Sequence, residues 1–205
     1  MPKTTYSEEI ALRALTGRVV GHEMLREYSR VAFVSVKNTI CLAISAAAEA
    51  SFVDRTSGRF AHFVVEKGAA SEVAEGVAAF EPEAVVLMFG GETPIEETKE
   101  LFVETLRALA KQDLPIDIVV HVRIFAAKGL EQALQDATIR DYLGTQIVLV
   151  YTADLDRGVL VLNEAEIDEE GGYELDVLEE YPVTVEHADL LNRSLRDKKV
   201  AWVDA

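Results

Sequence analysis

The chain has 205 residues, 49% hydrophobic and 27% charged, which is ample for a packed globular core without covalent staples. Twenty Lys and Arg stand against 36 Asp and Glu, a formal net charge of −16 that disfavours nucleic acid as a partner and suits a solvated surface. Cys41 is the sole cysteine, so an internal disulfide framework is excluded, and the expected setting is a reducing, cytoplasmic one.

The N-terminal stretch MPKTTYSEEIALRAL lacks a charged-then-apolar leader layout. Residues 7–28 read as mainly helical, with Ser7 before an acidic first turn and Gly17 as a stop signal, and a second helix follows from Arg18. Residues 31–50 are ambiguous. VAFVSV reads as a buried strand and CLAISAAAEA as a buried helix, but one continuous buried helix fits as well, because an all-apolar run has no telling period. Lys37 and Asn38 near its middle argue against a membrane span. Within a single α/β domain over 1–205, residues 1–50 are expected to form a helical arm, packed on the sheet or on a partner subunit.

From residue 59 the pattern sharpens. RFAHFVVE (59–66) is a predicted strand, 69–80 a short helix, and AVVLMF (84–89) a strand covered on both faces. A helix over 94–112 carries Ile95, Phe102, Leu106 and Leu109 on one stripe. IDIVVHVRIFA (116–126) reads as a long strand, with Asp117, Val119, His121, Arg123 and Phe125 on one face by period two. A helix spans 129–144, and QIVLVYT (146–152) is another buried strand.

Three consecutive crossovers through helices predict a three-layer α/β fold with a mostly parallel sheet, βαβαβαβ over residues 59–152. Beyond it lie an antiparallel strand at 159–168, one more strand within 173–185 and a helix at 186–197, an antiparallel C-terminal extension to match the N-terminal helical segment. Trp202, between Val200 and Val203, suggests a docking end.

The turn FGGETPIEET has a local explanation. Thr93 is a good N-cap, Pro94 suits the first helical position, and Glu96 completes a Thr-x-x-Glu capping box. Only Gly90, Gly91 and Glu92 remain unexplained. Position supplies the functional reading, since open parallel sheets bind ligands outside the carboxyl ends of their strands. Lys67-Gly68 and Lys128-Gly129 stand at two such ends, each just before a helix, where lysine opposes the dipole unless an anion is bound. Asp154 marks a further end. The candidate ligand-binding residues are therefore Lys67, Gly68, Gly90, Gly91, Glu92, Lys128, Gly129 and Asp154.

No G-x-x-x-x-G-K-[ST] loop, G-x-G-x-x-G fingerprint, G-x-S-x-G elbow or H-E-x-x-H pair is present. His22, His62 and His187 are scattered, His62 reading as a core residue, and no histidine pair has metal-ligand spacing. Cys41 lies in apolar surroundings that leave a thiol inert. Three functions are carried forward: a site for a small anionic or nucleotide-like ligand, with catalysis left open; a non-catalytic interaction protein or homo-oligomeric assembly; and a metal-assisted hydrolase using Glu92 and Asp154. Any cofactor is left open.

Overall fold

The computed structural model describes residues 4–196; the expected docking of Trp202 lies outside them. Seven strands form one sheet in the order β2-β1-β3-β4-β5-β6-β7. They are β1 (Arg30–Val36), β2 (Arg59–Val65), β3 (Ala84–Met88), β4 (Asp117–Val120), β5 (Val148–Asp154), β6 (Val159–Ile167) and β7 (Tyr173–Pro182). The first five pair in parallel, β6 pairs antiparallel with β5, and β7 antiparallel with β6. This is the α/β architecture the periodicities predict, with β1 inserted between β2 and β3. The crossovers that build it are α2 (Thr39–Thr56), α3 (Ala70–Phe80), α4 (Ile95–Gln112) and the short helices α5 (Val122–Ala126), α6 (Gly129–Ala133) and α7 (Ala137–Leu143).

Alternation along each strand divides the core in two. Val34, Val85, Leu87, Ile118 and Val150 face Val77, Phe102, Leu106 and Leu143 on one side. Phe33, Val86, Met88, Val119 and Tyr151 face the other, beneath α1 (Tyr6–Val19), α2 and α8 (Val185–Arg196).

Of the alternatives at 31–50, strand then helix is the one formed; the continuous helix is not. Asn38 divides them. In extended conformation, its side chain accepts the N–H of Cys41 and caps α2. β1 is thus a central strand of the sheet rather than part of an arm. Gly17 does not end α1, which continues as a π-helical turn over Val20–Met24. Gly17 and Gly21 instead sit one turn apart against the backbone of α2, where a Cβ would meet the carbonyl oxygens of Ile44 and Ala48.

The expected strand 116–126 stops at Val120. His121 caps α5 by accepting the N–H of Arg123 on its ring, so His121, Arg123 and Phe125 share no strand face. The expected helix 129–144 is broken because Asp136 accepts the N–H of Thr138 and caps α7, while pairing with Arg107 Nε at 2.6 Å.

His187 and His121 are buried, at 3% exposure each. Burial holds His187 down to about 4, from an ordinary value of 6.5, with Thr16 Oγ1 2.9 Å from its Nε2. Burial pushes His121 well below its usual range too, and the charges of Arg13 and Arg123 add to the effect. The unfolded chain therefore binds more protons than the folded one between these values. Stability is full above pH 6.5 and falls as the pH drops towards about 4. Urea midpoints should follow this decline, and His187→Gln should flatten it; a midpoint constant over that window would contradict it.

Candidate functional site

Strand order reverses between β1 and β3, the one leading to β2 and the other to β4. The carboxyl end of β3 opens there into Phe89-Gly90-Gly91-Glu92-Thr93-Pro94 before α4 begins. A crevice of about 520 Å³ lies against this turn, lined by Gly90, Gly91, Glu92, Thr93 and Pro94 together with Arg123, Lys128 and Ser194 of α8.

The turn departs from the expected capping box. Helix α4 starts at Ile95, Pro94 occupies the cap position with ψ 139°, and no side chain caps it. Thr93 Oγ1 is instead turned towards Asn38 Nδ2 at 3.4 Å, and Glu96 pairs with Lys99 at 2.8 Å. The N–H groups of Ile95, Glu96 and Glu97 thus find no acceptor within the helix, whose bonding begins with Thr98 N–H donating to Pro94.

Both glycines of the turn have a geometric reason. Gly91 has φ +83°, and a Cβ there would lie 2.5 Å from Asn38 Oδ1. At Gly90 the Arg123 side chain passes directly over the backbone, its Cδ 3.2 Å from where a Cβ would stand. Asn38 Nδ2 also approaches the Gly90 carbonyl at 3.4 Å, and Cys41 Sγ donates to it at 3.0 Å. Burial pushes the Cys41 thiol up to about 11, which keeps it protonated as that donor. Glu92 reaches across to α2, where Oε2 accepts the N–H of Thr39 at 3.3 Å. Its carboxylate therefore complements the positive end of the α2 dipole.

The candidates separate accordingly. Gly90, Gly91, Glu92 and Lys128 come together at the crevice. Lys128, at φ +64°, precedes α6 and is exposed. Lys67 and Gly68 are not among its lining residues. They follow β2, an edge strand, with β1 and β3 between it and β4. Gly68 takes φ +85° with open space around it. Gly129 serves packing, since a Cβ would strike Ile124 Cγ1 at 2.6 Å. Asp154 closes the β5–β6 turn by accepting the N–H groups of Asp156 and Arg157.

Arg123, which the sequence reading placed within a strand, stands just beyond the end of β4 and donates to Ser194 Oγ at 3.3 Å. Its place beside His121 on one face of the expected strand was the available signal; Ser194 had none. His62, read as a core residue, is half-buried on the edge strand, with Ser35 Oγ 2.7 Å from Nε2 and Glu49 Oε1 2.8 Å from Nδ1. Among the described residues, no group of three His, Cys, Asp or Glu side chains converges as a metal site, and no helix is long and apolar enough to cross a membrane.

Comparison with known proteins adds fold-level likeness. A putative branched-chain amino acid ABC transporter from Rhodospirillum rubrum is 19% identical, with a TM-score of 0.48 over 69% of this chain and 37% of that one. An extracellular ligand-binding receptor from Verminephrobacter eiseniae is 17% identical, with a TM-score of 0.43 over 70% and 37%. A putative branched-chain amino acid ABC transporter from Silicibacter pomeroyi is 11% identical, with a TM-score of 0.43 over 73% and 41%. The chain thus spans well under half the length of each. No curated protein matches. A family model does match, over residues 9–190, and the chain belongs to that family, whose description reads "Uncharacterized protein".

Proposed function

We propose that this chain binds a small anionic or nucleotide-like ligand in the crevice between the turn after β3 and the helix after β4. The observation that carries the reading is the uncapped start of the 18-residue helix α4, which opens on a crevice that also holds Arg123 and Lys128. Unpaired N–H groups at a helix N-terminus attract an anion, and an arginine fork supplies directed donors beside them. Glu92 and Glu96 line the same space and limit the charge it accepts. With Glu92 engaged at α2 and Glu96 at Lys99, a single phosphate or carboxylate group at the start of α4 fits better than an extended polyphosphate.

A thermal-shift screen with nucleotides, phosphorylated metabolites and carboxylates tests this. A ligand present at about a hundred times its Kd should stabilise the fold by about 2.7 kcal/mol. Arg123→Ala with Lys128→Ala should abolish the shift, and Lys67→Ala, remote from the crevice, should leave it intact. A shift that survives the double substitution, or a flat response across the panel, rejects the site. The second reading, an assembly protein, is favoured by the open edge of β2.

A further inference from the structure

The two edges of the sheet are unlike. β7 is guarded by Glu174, Asp176, Glu179 and Glu180, ends in Pro182, and pairs with β6 through a register shift at Leu162/Asn163. Charges, proline and irregular pairing are the devices that keep a strand edge from pairing with another chain. β2 has none of them. Its sequence is Arg59-Phe60-Ala61-His62-Phe63-Val64-Val65, with one charge at its first position.

The direction of its free backbone groups follows from the bonds it already makes. Arg59 N–H donates to Ser29 and Val65 C=O accepts from Lys37, both towards β1. Backbone groups alternate sides along a strand, so Phe60, His62 and Val64 present their N–H and C=O groups to the open edge. Their side chains share the α2 face of the sheet, where Phe60 packs edge-on against Phe33 at 6.1 Å and His62 meets Glu49 of α2. Phe60 and Val64 are nevertheless 40% and 41% exposed. Leu42 and Val53, seven residues before and four after Glu49, lie on the same stripe of α2 and are 37% and 40% exposed.

We infer that β2 is the interface with a second copy of this chain, paired antiparallel about a two-fold axis through His62. In that register Phe60 faces the second copy's Val64, His62 faces its own counterpart, and Val64 faces Phe60. Each of these three pairs exchanges both hydrogen bonds. A two-fold contact is self-complementary by construction, and this strand is matched to itself: an aromatic meets a β-branched residue on both sides of the axis. The polar residue on the axis is compatible, because the ring nitrogens of His62 lie against groups of its own chain, 2.7 Å from Ser35 Oγ and 2.8 Å from Glu49 Oε1. Electrostatics favours this edge over the other: two chains of net charge −16 repel, and β2 carries no acid where β7 carries four. The α2 stripe then lends apolar area on either side of the strand pair, which a stable interface requires.

Light scattering and sedimentation of the full chain should return a dimer in the micromolar range. Val64→Lys and Phe60→Lys, both at exposed positions, should each weaken it at least tenfold while leaving the circular dichroism spectrum unchanged. A chain carrying Phe60→Cys and Val64→Cys should cross-link across the axis on mild oxidation, because facing hydrogen-bonded residues have Cα atoms about 5.5 Å apart, within disulfide range. Cys41 is buried and does not compete, and Val177→Cys on β7 should not cross-link. A monomer throughout that range, or a dimer that persists in both lysine variants with no cross-link, overturns the inference.

Discussion

Gly21→Ala is expected to lose about 3 kcal/mol of stability, at the upper end of overpacking costs, and to lower the Tm by roughly 10 °C. In an ordinary helix the same change stabilises by about 1 kcal/mol, so its sign is decided by the surroundings. A Cβ at Gly21 would stand 2.0 Å from the carbonyl oxygen of Ala48 and 2.9 Å from the Phe52 nitrogen; at Gly17 it would stand 2.4 Å from the Ile44 oxygen. All three are backbone atoms of α2. Relief requires the two helices to move apart along their length, over Leu12, Val20, Ile44 and Ala48 of the core. Gly76→Ala is the control, because its Cβ would meet only the ring of Phe63, a half-buried side chain that can turn. Equal denaturation midpoints for the two variants would show that α1 and α2 are not locked by backbone contact.

Arg13→Ala should cost about 3 to 5 kcal/mol, the range for removing one partner of a buried ion pair. Arg13 and Glu9 lie one turn apart on α1, with Nη2 and Oε2 3.1 Å apart and side chains 7% and 4% exposed. Thr4 Oγ1 donates to the other carboxylate oxygen at 2.5 Å. Truncating the arginine leaves a carboxylate in a dry site, and the loss is mainly that uncompensated charge. Converting both residues together, Glu9→Leu with Arg13→Met, should recover most of it, since a well-packed apolar pair is often neutral or better. Lys37 offers the contrast. Its contact with Glu66 is as short, 3.0 Å, but the side chains are 64% and 57% exposed. Lys37→Ala should change the urea midpoint little, as exposed pairs are worth under about 1 kcal/mol. Equal urea midpoints for Arg13→Ala and Lys37→Ala would contradict this difference.

The readable parts of this fold were short apolar runs bounded by turns. Residues 84–88 and 148–151 are such runs and became inner strands. Residues 117–126 misled for a physical reason: the alternation Asp-Ile-Val-Val-His-Val-Arg-Ile-Phe continues past Val120 into a helix of five residues, too short to show its own period. The short helix follows from His121 capping through its ring, a local bond to the N–H two residues on that histidine does not advertise in sequence. β1 was left open between two readings because its apolar run is followed within two residues by the apolar start of α2, so that strand-then-helix and one long helix fitted alike. At the crevice, Gly90, Gly91 and Glu92 were located because a strand's end is visible in sequence. Arg123 and Ser194 join them from separate helices, and that meeting depends on strand order. The same order separates Lys67 from Lys128, two turns that look equivalent on paper.

The place of β1 has a consequence for how the protein is made. β1 is the first strand to leave the ribosome, and it sits inside the sheet. β2 adds to one side of it, β3 to the other, and β4, β5, β6 and β7 each join the strand that was synthesised just before. No strand has to insert between two that are already paired, so the sheet can grow during translation by addition at its margins alone. Starting the chain after β1 would therefore remove the seed on which both directions of growth depend, whereas stopping it before β6 would leave every parallel pair in place.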